Sequence, residues 1–223
     1  MRPFRLGEAP LWMMLALAAA CRSAEEELVD RFLRASQRGD SETVAALSLV
    51  AFPEEISDWE LLSQGPLRRE PYRIPELRAE VEAAEDRRDA QFREFGEFRQ
   101  RHYDDLARIQ RRLRDEPDYS FTGPLLELNE AWERHRQARR DVVTGLHEAE
   151  MALEREIRRV NRSLQRESTP EYLTGEILLR DVRVRIAGSG RVYVVTVIRY
   201  ELVNQFEAVV PTRWIVAAVE PEA

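Results

Sequence analysis

Three histidines, His102, His135 and His147, are the side chains in this chain best suited to move a proton near neutral pH or to hold a transition metal. His147-Glu148 opens like a zinc-protease motif, but Met151 stands where the second histidine belongs. His102 and His135 lie in the two halves of a long charged stretch, with Asp105 one turn from His102. If that stretch folds back on itself, the two imidazoles face each other. A metal there needs two more ligands, and only carboxylates are near. The spacing therefore predicts a polar layer that fixes the register of two helices, one that loosens in acid if both rings protonate. Asp181, Tyr193 and Tyr200 fall in strand-like sequence without a base beside them. Gly188-Ser189-Gly190 reads as a turn, not a phosphate cradle, and Cys21 is the sole cysteine, so no disulfide forms within the chain. The expectation is a protein with no catalytic set, no metal site and no cofactor: not an enzyme.

The element that positions the histidines runs from Ile74 to Arg166. Apolar residues recur at spacings of three and four in both halves: Leu77, Val81, Phe92, Phe95, Leu106 and Ile109, then Leu128, Trp132, Val142, Leu146, Ile157 and Val160. Between the halves, residues 115–124 hold two prolines and a glycine, with Thr122 as the expected N-cap and Pro124 in the first turn of the second helix. A fold-back near Tyr119 sets Leu106 against Trp132, Phe95 against Val142 and Leu77 against Val160, so the stripes match along their length. At about 40 residues each, the helices make an antiparallel α-helical hairpin (coiled coil) of roughly 60 Å that projects from the rest of the chain. Its tip, Pro117, Tyr119 and Phe121, has no core to join and is the expected contact surface for a protein partner.

Composition narrows the partners. All 34 basic residues are arginine, against 41 acidic ones, for a net charge of −7. The arginines alternate with acids and form no one-sided basic face, which argues against nucleic acid. Arg2 and Arg5 precede the apolar run Leu11 to Ala20, which is too short to span a bilayer and reads as a signal segment over residues 1–20. Leu17-Ala18-Ala19-Ala20-Cys21 resembles the lipobox of bacterial lipoproteins, departing from it at Ala18, where a larger aliphatic residue is usual. The resemblance implies cleavage before Cys21, lipidation of Cys21 and attachment to a membrane. Arg22, where inner-membrane retention would call for aspartate, implies the periplasmic face of the outer membrane.

The flanks, residues 21–73 and 168–223, read as one small α+β domain interrupted by the insertion 74–167. Val29, Phe32 and Leu33 mark a first helix. Gly39-Asp40 ends it and starts a second with Val44 and Leu47, with Asp40 or Ser41 as cap. Residues 58–74 read as a loop or one short strand. After Ser168-Thr169-Pro170 the pattern changes to strands: Leu173 to Ala187, Arg191 to Asn204 and Thr212 to Val219, a three-stranded antiparallel meander. The second is apolar on both faces from Val192 to Ile198, which predicts cover on both or a place beneath helices. Val29-Asp30-Arg31-Phe32-Leu33-Arg34-Ala35 with Gly39-Asp40, and Arg213-Trp214-Ile215-Val216, resemble the opening helix and closing strand of NTF2-like (cystatin-like) domains. That resemblance implies a curved sheet wrapped on helices, with a pocket walled by Trp59 or Trp214. The function expected is a lipid-anchored, non-enzymatic scaffold acting through the hairpin; the alternative is a small-molecule-binding domain that the hairpin supports.

Overall fold

A computed structural model of the chain describes residues 22–167 and 172–222. The signal segment, Cys21 and the Ser168-Thr169-Pro170 switch lie outside the described residues. The protein is α+β; the described residues form five helices and one antiparallel sheet and divide into two compact units. The first comprises residues up to Glu70, Ile177–Glu201 and from Pro211 on; the second comprises Pro71–Glu176 and Leu202–Val210.

The first unit begins with α1 (Ala24–Gln37). Its start is written in a capping box: the Glu26 amide donates to Ser23 Oγ and the Ser23 amide to Glu26 Oε2, both at 3.2 Å. Gly39, at φ 68°, takes the left-handed position that ends the helix. Asp40 then caps α2 (Ser41–Leu47), accepting from the Thr43 amide at 3.0 Å. That hydrogen bond holds the Asp40 carboxyl below its ordinary range.

The stretch expected as a loop holds two strands, β1 (Trp59–Gln64) and β2 (Arg68–Pro71), both paired with β3 (Thr174–Ile186). Their charged and short sequence hides them, because an edge strand needs little apolar surface. β4 (Val192–Val203) lies beside β3, and β6 (Ile215–Pro221) pairs antiparallel with β4, Tyr193 opposite Pro221 and Ile198 opposite Ile215. β5 (Val209–Val210) pairs with the end of β4 inside the second unit. The turn after β3 closes as expected, with the Gly190 amide on Ile186 O at 2.8 Å.

Leu28, Val29, Phe32 and Leu33 of α1 and Leu47 of α2 bury against Val182, Val184, Ile186, Tyr193, Val195, Val197 and Val216 of the sheet. Of the two expectations for β4, cover on both faces or a place beneath helices, the second describes it: Tyr193, Val195 and Val197 share a core with α1 and α2. Tyr193, Val195 and Val197 are buried, while Val192, Val194 and Thr196 are half-buried. A β-bulge opposite Thr196/Val197 changes the register there, and both Val197 and Ile198 become buried.

The second unit contains α3 (Ile74–Arg101), α4 (Tyr103–Asp115) and α5 (Pro124–Leu164). The first helix is not continuous as expected, since His102, at φ −116° and ψ 21°, interrupts it. Gly123, not Thr122, is the N-cap of α5: its φ of 57° and ψ of −143° suit only glycine, and Pro124 follows at the first helical position. Ile74, Leu77, Ala84, Phe95 and Phe98 of α3, Leu106 and Ile109 of α4, and Leu146, Val160 and Leu164 of α5 are buried.

Candidate functional site

α1 and β1 border an open groove of about 720 Å³ in the first unit. Trp59 lies in its wall, and its indole Nε1 donates to Asp30 Oδ1 at 3.3 Å. Arg34 reaches Asp30 at 2.8 Å and Arg22 at 3.5 Å. Asp30 is thus held by one indole and two guanidinium groups, leaving little of it to act as a base. Trp214 does not line this groove; it packs on the core, with the Arg199 guanidinium 5.3 Å from its ring centre. Of the two tryptophans named as alternatives for a pocket wall, Trp59 is the one that borders this groove.

Two ion pairs tie the sheet together. Glu25, buried near the start of α1, meets Arg180 at 3.0 Å, and Arg180 also donates to Gln64 Oε1 at 3.2 Å. Asp181 takes two hydrogen bonds from Arg68, at 2.6 and 3.2 Å, and one from Thr196 Oγ1 at 2.9 Å. The Arg68 hydrogen bond holds the Asp181 carboxyl below the ordinary carboxylate range, with Thr196 and the Arg68 charge adding to it against the opposing effect of burial. Sequence reasoning saw Asp181 without a base; its partner is an arginine 113 positions earlier.

In the second unit Phe95 stacks on Trp132 with ring centres 5.1 Å apart, and Phe98 lies 4.4 Å from His135. His102 also rests on Phe98, at 4.9 Å. Each imidazole packs on this phenyl ring, and Glu94 Oε1 is 3.9 Å from His135 Nδ1. The layer expected from two facing histidines is instead an aromatic cluster with Phe98 in it. Phe95 also departs from the expected register: Trp132 comes ten positions before Val142, about 15 Å along α5.

At the far end, Tyr119 packs edge-on against Phe121 at 5.0 Å, and the Arg112 guanidinium sits 4.3 Å over the Tyr119 ring. Phe121 is buried, while Tyr119 and Pro117 are exposed. Of the three residues expected at a tip, Phe121 is buried and packs on Tyr119. No sequence signal separates it from Tyr119, because two aromatic residues flanking one serine are equivalent in pattern.

No protein family, no curated protein and no solved structure matches the chain. Among the described residues no group of three or more His, Cys, Asp or Glu side chains is placed to hold a metal ion, and no helix is long and apolar enough to cross a membrane.

Proposed function

We propose that the chain is a lipid-anchored cell-envelope protein, a non-enzymatic interaction module that meets its partner through α3, α4 and α5 folded as an antiparallel helical hairpin. The observation that carries this reading is the aromatic contact of Phe95 and Phe98 with Trp132 and His135, made on a helix of 41 residues. At 1.5 Å per residue α5 alone is about 60 Å long, and a rod of that length serves contact at a distance. Its outer surface keeps apolar side chains for a partner: Tyr103 is 67% and Val143 47% exposed. The anchor rests on the resemblance of Leu17 to Cys21 to a lipobox, and the outer membrane on Arg22.

A photoreactive amino acid at Tyr103, Tyr119 or Val143 should give a discrete crosslinked adduct in cells, and one at the exposed sheet residue Arg183 should not. No adduct from the three helical positions, or the same adduct from Arg183, sinks the interaction reading. Metabolic labelling with a palmitate analogue tests the anchor separately: label retained by Cys21→Ser removes it.

The alternative is an NTF2-like small-molecule-binding domain with the helices as support. The antiparallel sheet packed under α1 and α2 and the groove beside Trp59 favour it.

A further inference from the structure

We propose that the second unit carries a binding site for a small aromatic carboxylate, in the cavity where the start of α3, the entry to β3 and the β4–β5 turn meet. This site is separate from the Trp59 groove and independent of the hairpin reading. The cavity holds about 420 Å³, within the size range of small-molecule sites.

Its position is fixed by the backbone. The Tyr72 amide donates to Gly175 O at 3.1 Å, joining the lead into α3 to the first residues of β3. The β4–β5 turn is fixed by one side chain: Asn204 Oδ1 accepts from the Phe206 amide at 2.9 Å and the Ala208 amide at 3.1 Å. With its oxygen so occupied, Asn204 has its amide NH₂ left to offer the cavity, and that group only donates.

The lining sets the ligand's chemistry. Ile74 and Leu173 are buried and make an apolar floor, and the Tyr72 and Tyr172 rings with Pro75 add flat faces that suit an aromatic body. Arg78 is the one charged residue in the lining, and the buried Glu156 carboxylate, which also acts on Tyr72, lies behind it outside the lining. Burial pushes the Tyr72 phenol up to about 12, with the Glu156 charge adding to it, so the ring stays neutral near neutral pH. α3 also begins without a side-chain cap, leaving its first-turn amides in need of an acceptor. A cation and amide donors around an apolar floor select an anion with a flat apolar body over its neutral analogue. Tyr172, 70% exposed, stands at the rim where such a ligand would enter.

Isothermal titration of the full chain with naphthalene-2-carboxylate and with naphthalene-2-carboxamide tests this. The acid should bind at least tenfold more tightly than the amide, the ratio expected for one hydrogen bond to a charged group. Arg78→Gln should bring the acid down to the amide's affinity, and Thr174→Phe, which fills the mouth from an exposed strand end, should remove both. Arg22→Gln, on the Trp59 groove, should change neither. Equal affinity for acid and amide, binding of neither, or an Arg22→Gln loss matching that of Arg78→Gln overturns the assignment. So does a dimer, seen by sedimentation, that Phe206→Ser dissolves and the acid does not: the cavity would then belong to a second copy of the chain.

Discussion

Replacing Asp181 by asparagine separates the charge of this side chain from its shape. The amide oxygen can still accept from Thr196, and the volume hardly changes, but Arg68 loses its anionic partner. A hydrogen bond to a charged group contributes about 1.5 to 3 kcal/mol when well shielded. The Arg68 side chain is 45% exposed and that of Asp181 27%, so solvent screening brings the expected loss down to about 1 kcal/mol. Asp181 titrates below its ordinary 3.8 in the folded protein. Its contribution is therefore complete at pH values above 3.8 and disappears as the pH falls through the folded-state value. Urea unfolding of wild type and Asp181→Asn should show a constant gap from pH 7 to 5 that closes below pH 3.8. The double-mutant cycle with Arg68→Gln should return most of the gap as coupling. A gap as wide at pH 2.5 as at pH 7, or a coupling near zero, would refute the assignment of this carboxylate to holding β2, β3 and β4 together.

Other tests address the second unit. Phe98→Ala, at a ring packed against Trp132, His102 and His135, should cost about 3 to 5 kcal/mol in chemical unfolding, while Phe92→Ala, 39% exposed, should cost about 1 kcal/mol or less. Gly123→Ala meets no atom within 4 Å, so its loss of about 1 to 3 kcal/mol should come from backbone strain alone; Gly123→Asn should recover little, since the ψ of −143° lies outside the left-handed helical region. Tyr72→Phe should leave the rise in tyrosinate absorbance at pH 10.5 unchanged, because burial holds that phenol neutral until about pH 12.

The parts of this fold legible in the sequence were those set by local physics. Asp40, Gly39 and Pro124 act within a few residues of themselves, and the alternation Val182, Val184, Ile186 reads directly as one buried face. What stayed hidden depends on residues far apart. β1 and β2 exist because β3 offers them an edge more than a hundred positions later. Tyr72 looked like a loop residue between Pro71 and Arg73, and only the pairing of its amide with Gly175 makes it a cavity wall. Trp59 and Trp214 were equal candidates for a pocket wall in the sequence; both pack on the core, and only Trp59 also borders the groove beside α1.

The register of the long helices was beyond reach for a more particular reason. An apolar stripe with a repeat near seven fits its partner almost as well after a slip of one heptad, so matching stripes fixes the register only modulo that slip. The observed contacts, Phe92 with Arg139, Phe98 with His135 and Phe95 with Trp132, stand about four to ten positions from the expected ones. On the hairpin proposed above, the surplus must be taken up between Phe98 and the start of α5. Phe98 stands 17 positions before the end of α4 at Asp115, but His135 only 11 after the start of α5 at Pro124. A straight α3–α4 helix would outrun α5 by roughly 9 Å. The interruption at His102 lies inside the surplus arm, where a change of helix direction shortens its reach along α5. Deleting six residues of α4, Ala107 to Arg112, should therefore allow an unbroken helix through His102 while keeping Phe98 on His135. If the helices instead slide to set Phe95 opposite Val142, as distance measurements between spin labels at Glu97 and Glu133 would reveal, the break does not set the register.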